Sequence, residues 1–65
     1  MTNYQVAKVE LKEIQVLAKN QFKNDLPAIR QAINDSAYYI SGERDLTAYQ
    51  ANLLHNYAAK LHPKR

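Results

Sequence analysis

Apolar residues recur every three or four positions along nearly the whole chain, and no stretch alternates polar and apolar as a strand does. The first run puts Tyr4, Ala7, Leu11, Ile14, Ala18 and Phe22 on one helical face. The second does the same with Leu26, Ile29, Ile33, Ala37 and Ile40, with Ala32 and Ser36 beside them. The third is Leu46, Leu53, Leu54, Tyr57, Ala58 and Leu61. These stripes predict helices over about 3–22, 26–40 and 47–62. The fold class is therefore all-α: a small three-helix bundle forming one domain over residues 1–65.

The punctuation agrees with the stripes. Thr2-Asn3-Tyr4-Gln5 and Thr47-Ala48-Tyr49-Gln50 both have capping-box spacing, which marks helix starts. Asp25 is placed to cap the second helix, and Pro27 suits a first helical turn. Gly42 is placed to take the left-handed backbone that ends that helix. Glu43 and Asp45 then stand where acids favour the positive start of the third helix. Pro63 closes the pattern.

Size and composition narrow the chemistry. Sixty-five residues build one core, worth about 3–5 kcal/mol net. With no cysteine, neither a disulfide nor a thiolate metal site supports it. His55 and His62 are seven residues apart, roughly 10 Å along a helix, too far to share one zinc. Ser36 and Ser41 are the only serines; Ser36 falls near the core and Ser41 in a turn, so neither is placed as a nucleophile. There is no glycine-rich phosphate loop. The expectation is a protein that is not an enzyme, with no cofactor, no metal and no small-molecule substrate. No apolar stretch reaches the roughly 20 residues that span a bilayer, and the N-terminus lacks a signal-peptide pattern. The expected location is the cytoplasm, without membrane association.

Three surfaces look available. Lys8, Lys12, Lys19 and Lys23 fall within roughly 60° of one another and run about 22 Å along the first helix. Glu10 and Glu13 point elsewhere, so charges are segregated rather than interleaved. Val6, Val9 and Val16 form a second apolar stripe away from Leu11 and Ala18, with Leu17 at its edge. A helix at the rim of a bundle needs only one apolar face, so this stripe suits a dimer or partner contact. The outer face of the third helix carries Ala48, Tyr49, Asn52, His55, Asn56, Ala59 and His62, with no lysine or glutamate among them. Tyr38 and Tyr39 end the second helix, Tyr39 leaning over the core and Tyr38 pointing away. Lys60, His62, Lys64 and Arg65 make a second basic end.

Two functions fit these surfaces. The favoured one is contact with a protein partner through helix 1, helix 3 or both, using Val6, Val9, Val16, Tyr49, Asn52, His55 and Asn56; self-association is compatible with it. The alternative is a helix-turn-helix-like nucleic-acid binder, with helix 3 in the major groove and the four lysines on phosphates. The net charge of +3 is mild for that role. Helix 3 has no arginine, and Glu43 and Asp45 stand where phosphates would approach.

The stretch Asn24-Asp25-Leu26-Pro27-Ala28-Ile29-Arg30-Gln31, then Asn34-Asp35, then Leu46-Thr47 and Gln50, resembles small phage- and prophage-encoded proteins of uncharacterised function. The resemblance covers residues 24–52. It implies a host-directed regulator or inhibitor, and it carries over no activity and no site residues.

Overall fold

The three helices are those the periodicity predicts; the end of the second moves by three residues and both ends of the third by one. In a computed structural model, which describes residues 1–63, the chain forms α1 (Asn3–Phe22), α2 (Leu26–Glu43) and α3 (Ala48–Leu61). Among the described residues there is no strand. Lys64 and Arg65, half of the basic C-terminal end, lie outside the described residues.

Each helix start is written locally. Thr2 Oγ1 accepts the Gln5 backbone N–H at 3.1 Å, and Gln5 Oε1 accepts that of Thr2 at 2.9 Å. Thr47 and Gln50 repeat the reciprocal pair at α3, both bonds 3.1 Å. Asp25 Oδ1 accepts from the Ala28 N–H at 3.3 Å, with Pro27 in the first turn. These bonds satisfy N–H groups that a helix start otherwise leaves without partners. Thr47 is thus the cap of α3 rather than part of it, and the helix runs 48–61 where the pattern gave 47–62.

The end of α2 differs from the expectation. Gly42 is helical, and the helix continues to Glu43 instead of stopping at Ile40. The left-handed residue is Asp45, at φ 51°. The Leu46 N–H reaches the Ser41 carbonyl at 3.0 Å, and the Asp45 N–H reaches that of Gly42 at 3.3 Å. That pair is a Schellman ending with Asp45 in the position glycine usually holds. Aspartate tolerates this backbone better than most residues. The ending also turns Leu46 back onto the core, which Gly42 three residues earlier would not do. Glu43 and Asp45 therefore end α2, while Thr47 makes the cap of α3.

Because Gly42 is helical and nothing lies within 4 Å of where its Cβ would stand, Gly42→Ala is expected to stabilise the fold. The gain is about 0.5–1 kcal/mol, from lowered chain entropy in the unfolded state. Urea unfolding at constant m-value checks it.

The core is small. Ala7, Leu11 and Ala18 of α1 meet Ile29, Ile33, Ala37 and Ile40 of α2 and Leu54, Ala58 and Leu61 of α3. Leu11, Ile29, Ile33 and Leu54 are the large side chains wholly removed from water. Tyr4, Phe22, Leu26, Leu46 and Tyr57 close the ends and seams, half-buried. α3 is parallel to α1 and ends beside its middle, where Leu61 meets Gln15.

Candidate functional site

The lysine row on α1 is shorter than the helical projection suggests. Lys8 is half-buried, its Nζ 4.8 Å from the Tyr57 ring centre and 5.6 Å from that of Tyr4. A cation so placed over aromatic faces belongs to the α1–α3 seam. Lys23 stands one residue past the helix end, in a turn with φ 55°, so it no longer continues the row. Lys12 and Lys19 remain as exposed helical lysines, and neither makes an ion pair among the described residues.

The valine stripe also divides. Val9 and Val16 are about half exposed, at 48% and 49%, and Leu17 is 62% exposed. Val6 is half-buried. At 100° per residue Val6 lies roughly 70° round the helix from the Val9–Val16 line, nearer to Leu17. Two shallow hollows mark the outer face of α1. One, about 450 Å³, runs from Val9, Lys12 and Glu13 to Lys8 and Tyr57 at the α1–α3 seam; the other, about 300 Å³, is formed by Lys12, Glu13, Val16 and Leu17. Lys12 and Glu13 line both hollows.

The larger feature is an open groove of about 710 Å³ between the end of α2 and the start of α3. Gly42, Ala48 and Ala51 contribute little side chain, so the two helices leave space between them. Tyr38 and Tyr39 supply aromatic walls, and Asn52 and His55 supply polar groups. Both tyrosines are exposed, at 77% and 67%. Tyr39 therefore does not lean over the core as the sequence suggested. The added turn of α2 carries the groove past these tyrosines to Glu43, its only acid among the described residues, which also contribute no lysine or arginine to it. Of the four α3 residues singled out from sequence, Asn52 and His55 line the groove. Tyr49 and Asn56 are exposed on the same helix but outside the groove lining. Ser41 Oγ donates to the Ala37 carbonyl at 2.8 Å, which turns its hydroxyl to backbone rather than to His55.

Three polar ties set the positions of these surfaces, and none was readable from helical spacing. Arg44 donates from Nε and Nη2 to the two Glu10 carboxylate oxygens at 2.9 and 3.0 Å. Asn3 Nδ2 donates to the Arg44 carbonyl at 3.3 Å, so both contacts hold the α2–α3 turn against α1. Gln15, a buried polar residue, donates from Nε2 to the Leu61 carbonyl at 2.8 Å. The His62 Nε2 and Asn34 Oδ1 atoms lie 2.8 Å apart, joining the end of α3 to α2. The paired residues are 28 to 46 apart in sequence. Only a fold brings such residues together.

Arg44's hydrogen bonds, helped by its charge, hold the Glu10 carboxyl below the usual carboxylate range despite partial desolvation. The same contacts push the Arg44 guanidinium up from its ordinary value. Both side chains are nearly two-fifths exposed, so solvent screens the pair and its effect is small. A depressed carboxyl stabilises the fold above its unfolded pKa of about 4.3 and loses that effect as pH falls through the lower folded value. Glu10→Gln is thus expected to melt slightly below wild type at pH 7. The two melting curves should converge towards pH 3.

Among the described residues, no helix is long and apolar enough to cross a membrane, and no three His, Cys, Asp or Glu side chains gather to hold a metal. What these surfaces offer is shape, apolar area, aromatic rings and a few hydrogen-bonding groups. No family model, no curated protein and no solved structure matches this chain.

Proposed function

We propose that this protein is a small non-enzymatic binding module whose α2–α3 groove receives a segment of a protein partner. The observation that carries the reading is the make-up of that groove. Two exposed tyrosines of α2 share the groove's lining with Gly42, Ala48 and Ala51, Asn52 and His55 offer hydrogen bonds, and no lysine or arginine is present in it among the described residues. Tyrosine is favoured at protein interfaces because it is apolar with a polar tip and has little conformational freedom to lose. A phosphate backbone would need cations there instead. The resemblance over residues 24–52 to phage-encoded proteins supports a role as a host-directed regulator or inhibitor.

A second reading keeps one observation in its favour. The connection between α2 and α3 is residues 44–47, four residues, the usual length for a helix-turn-helix. Lys12, Lys19 and Lys23 are exposed for phosphate contact.

One experiment separates the two. Tagged wild-type protein and a Tyr38→Ala/Tyr39→Ala variant are used to capture partners from bacterial lysate, with and without nuclease. A stoichiometric protein that survives nuclease and is lost from the variant supports the groove. Nucleic acid as the captured species, indifferent to the tyrosines and released by salt, overturns it in favour of the second reading.

A further inference from the structure

The outer face of α1 carries a pattern that is complementary to itself. Val9 and Val16 lie on one line, roughly 170° round the helix from the core residues Ala7, Leu11 and Ala18. Lys12 and Glu13 stand between the valines along the axis, roughly 50° to either side of that line. Neither is paired within its own helix. Lys12 has Lys8, Val9, Gln15 and Val16 as its helical neighbours at three and four residues; Glu13 has Val9, Glu10, Val16 and Leu17. The face is therefore an exposed apolar line with a cation on one border and an anion on the other at the same level.

We propose that this face binds a second copy of the chain, α1 against α1 in parallel, about a twofold axis running along the helices. Such an axis sets the positive border of one helix opposite the negative border of its mate. Lys12 then meets Glu13 of the other copy, and Glu13 meets its Lys12, with Val9 on Val9 above and Val16 on Val16 below. The interface is isologous, so the same patch is used twice and the assembly closes at two. An antiparallel pairing would put lysine against lysine and glutamate against glutamate. Charge thus selects the orientation. The line faces away from the core, so the rest of each bundle lies on the far side and does not collide. α1 contributes no residue to the α2–α3 groove, so both grooves stay open in the pair.

A contact one helix wide is small beside the roughly 800 Å² per partner of a stable complex, so the dimer is weak and concentration-dependent. Sedimentation equilibrium of the full chain at low salt tests it. Wild type is expected to rise from 7.5 kDa towards twice that mass as concentration approaches about 1 mM. Lys12→Glu and Glu13→Lys are each expected to weaken association roughly tenfold or more, since each sets like charges face to face. Mixed one to one, they should associate as well as wild type, because the only mixed pair matches opposite signs on both borders. Val9→Ser/Val16→Ser should stay monomeric with an unchanged circular dichroism spectrum, as these side chains are outside the core. A wild type that remains monomeric to about 1 mM overturns the proposal. So does a mixture that fails to recover, or a dimer that survives both single reversals. A dimer lost on Tyr38→Ala instead would move self-association to the groove and overturn it as well.

Discussion

Leu11→Ala is expected to leave most of the protein unfolded at 37 °C. Leu11 is wholly buried on α1, among the few large side chains that fill the core. Shortening a buried leucine to alanine costs about 2–5 kcal/mol, from lost apolar burial and the cavity left behind. A single core of this size provides about 3–5 kcal/mol in total. The loss is therefore comparable to the whole stability. Relaxation cannot easily fill the gap, because much of the rest of the core is alanine, at positions 7, 18, 37 and 58, and these side chains are already short. Circular dichroism at 222 nm should show loss of most helical signal, and an urea titration should lack a folded baseline. Two companions scale the result. Ile33→Val removes one methylene from an equally buried site and should cost about 0.5–1.5 kcal/mol, leaving a measurable transition. Leu17→Ala, at an exposed site, should stay within about 0.5 kcal/mol of wild type. A folded Leu11→Ala protein with wild-type stability would mean that the helices pack in another register.

Gln15→Glu is expected to be the most damaging polar change, and to reverse the usual effect of acid. Gln15 is 8% exposed, and its amide donates to the carbonyl of Leu61, the last residue of α3. That carbonyl belongs to the group a helix end leaves without an internal partner. Gln15 therefore acts as a C-terminal cap supplied by another helix. A glutamate there at pH 7 turns an ionised, acceptor-only group towards an acceptor and away from water. Burial of an unpaired charge and the orphaned carbonyl together cost on the order of 3 kcal/mol or more. Both burial and the facing carbonyl raise the folded-state pKa of the new carboxyl. The destabilisation therefore grows as pH rises from the unfolded value of about 4.3 to the raised folded one. Below that window the neutral acid donates its proton to Leu61 and most of the loss is recovered. Gln15→Leu supplies the contrast: it should cost about 1–3 kcal/mol, equally at pH 4 and pH 7. If Gln15→Glu melts identically at both pH values, the hydrogen bond to Leu61 does not cap α3.

The elements of this fold were legible because their signals are local. Thr2 with Gln5, Asp25 with Pro27, and Thr47 with Gln50 each act within four residues, and spacing alone reveals them. The core stripe was legible for the same reason: Leu11, Ile29, Ile33 and Leu54 recur at helical spacing. The end of α2 was not. A glycine is the stronger signal for a left-handed residue, yet the stopping point also depends on where Leu46 can reach the core. Gln15 was hidden because a polar residue inside an apolar stripe looks like an exposed one until its partner is known. Arg44 was hidden among neighbouring acids, and its true partner is Glu10, on another helix. Lys8 shared the periodicity of Lys12 and Lys19, but only the position of Tyr57 decides that it packs against a ring. For the candidate surfaces, spacing identified Val9, Val16, Asn52 and His55 as outward-facing. It could not show the groove, because a groove is the space between two helices and depends on how they sit.

The three self-contained helix starts have a kinetic consequence. Each segment carries its own initiation signal, so helical structure can begin to form in every part of the chain before distant parts meet. Chains dominated by such near-neighbour information fold in microseconds to milliseconds. The ties from Gln15 to Leu61 and from Arg44 to Glu10 close only once α1 has docked on the end of α3 and on the end of α2. They therefore belong to the late side of the barrier. Weakening them should leave the folding rate nearly unchanged and appear almost wholly as faster unfolding. The lifetime of the native molecule, rather than the speed of reaching it, is what those long-range polar contacts set.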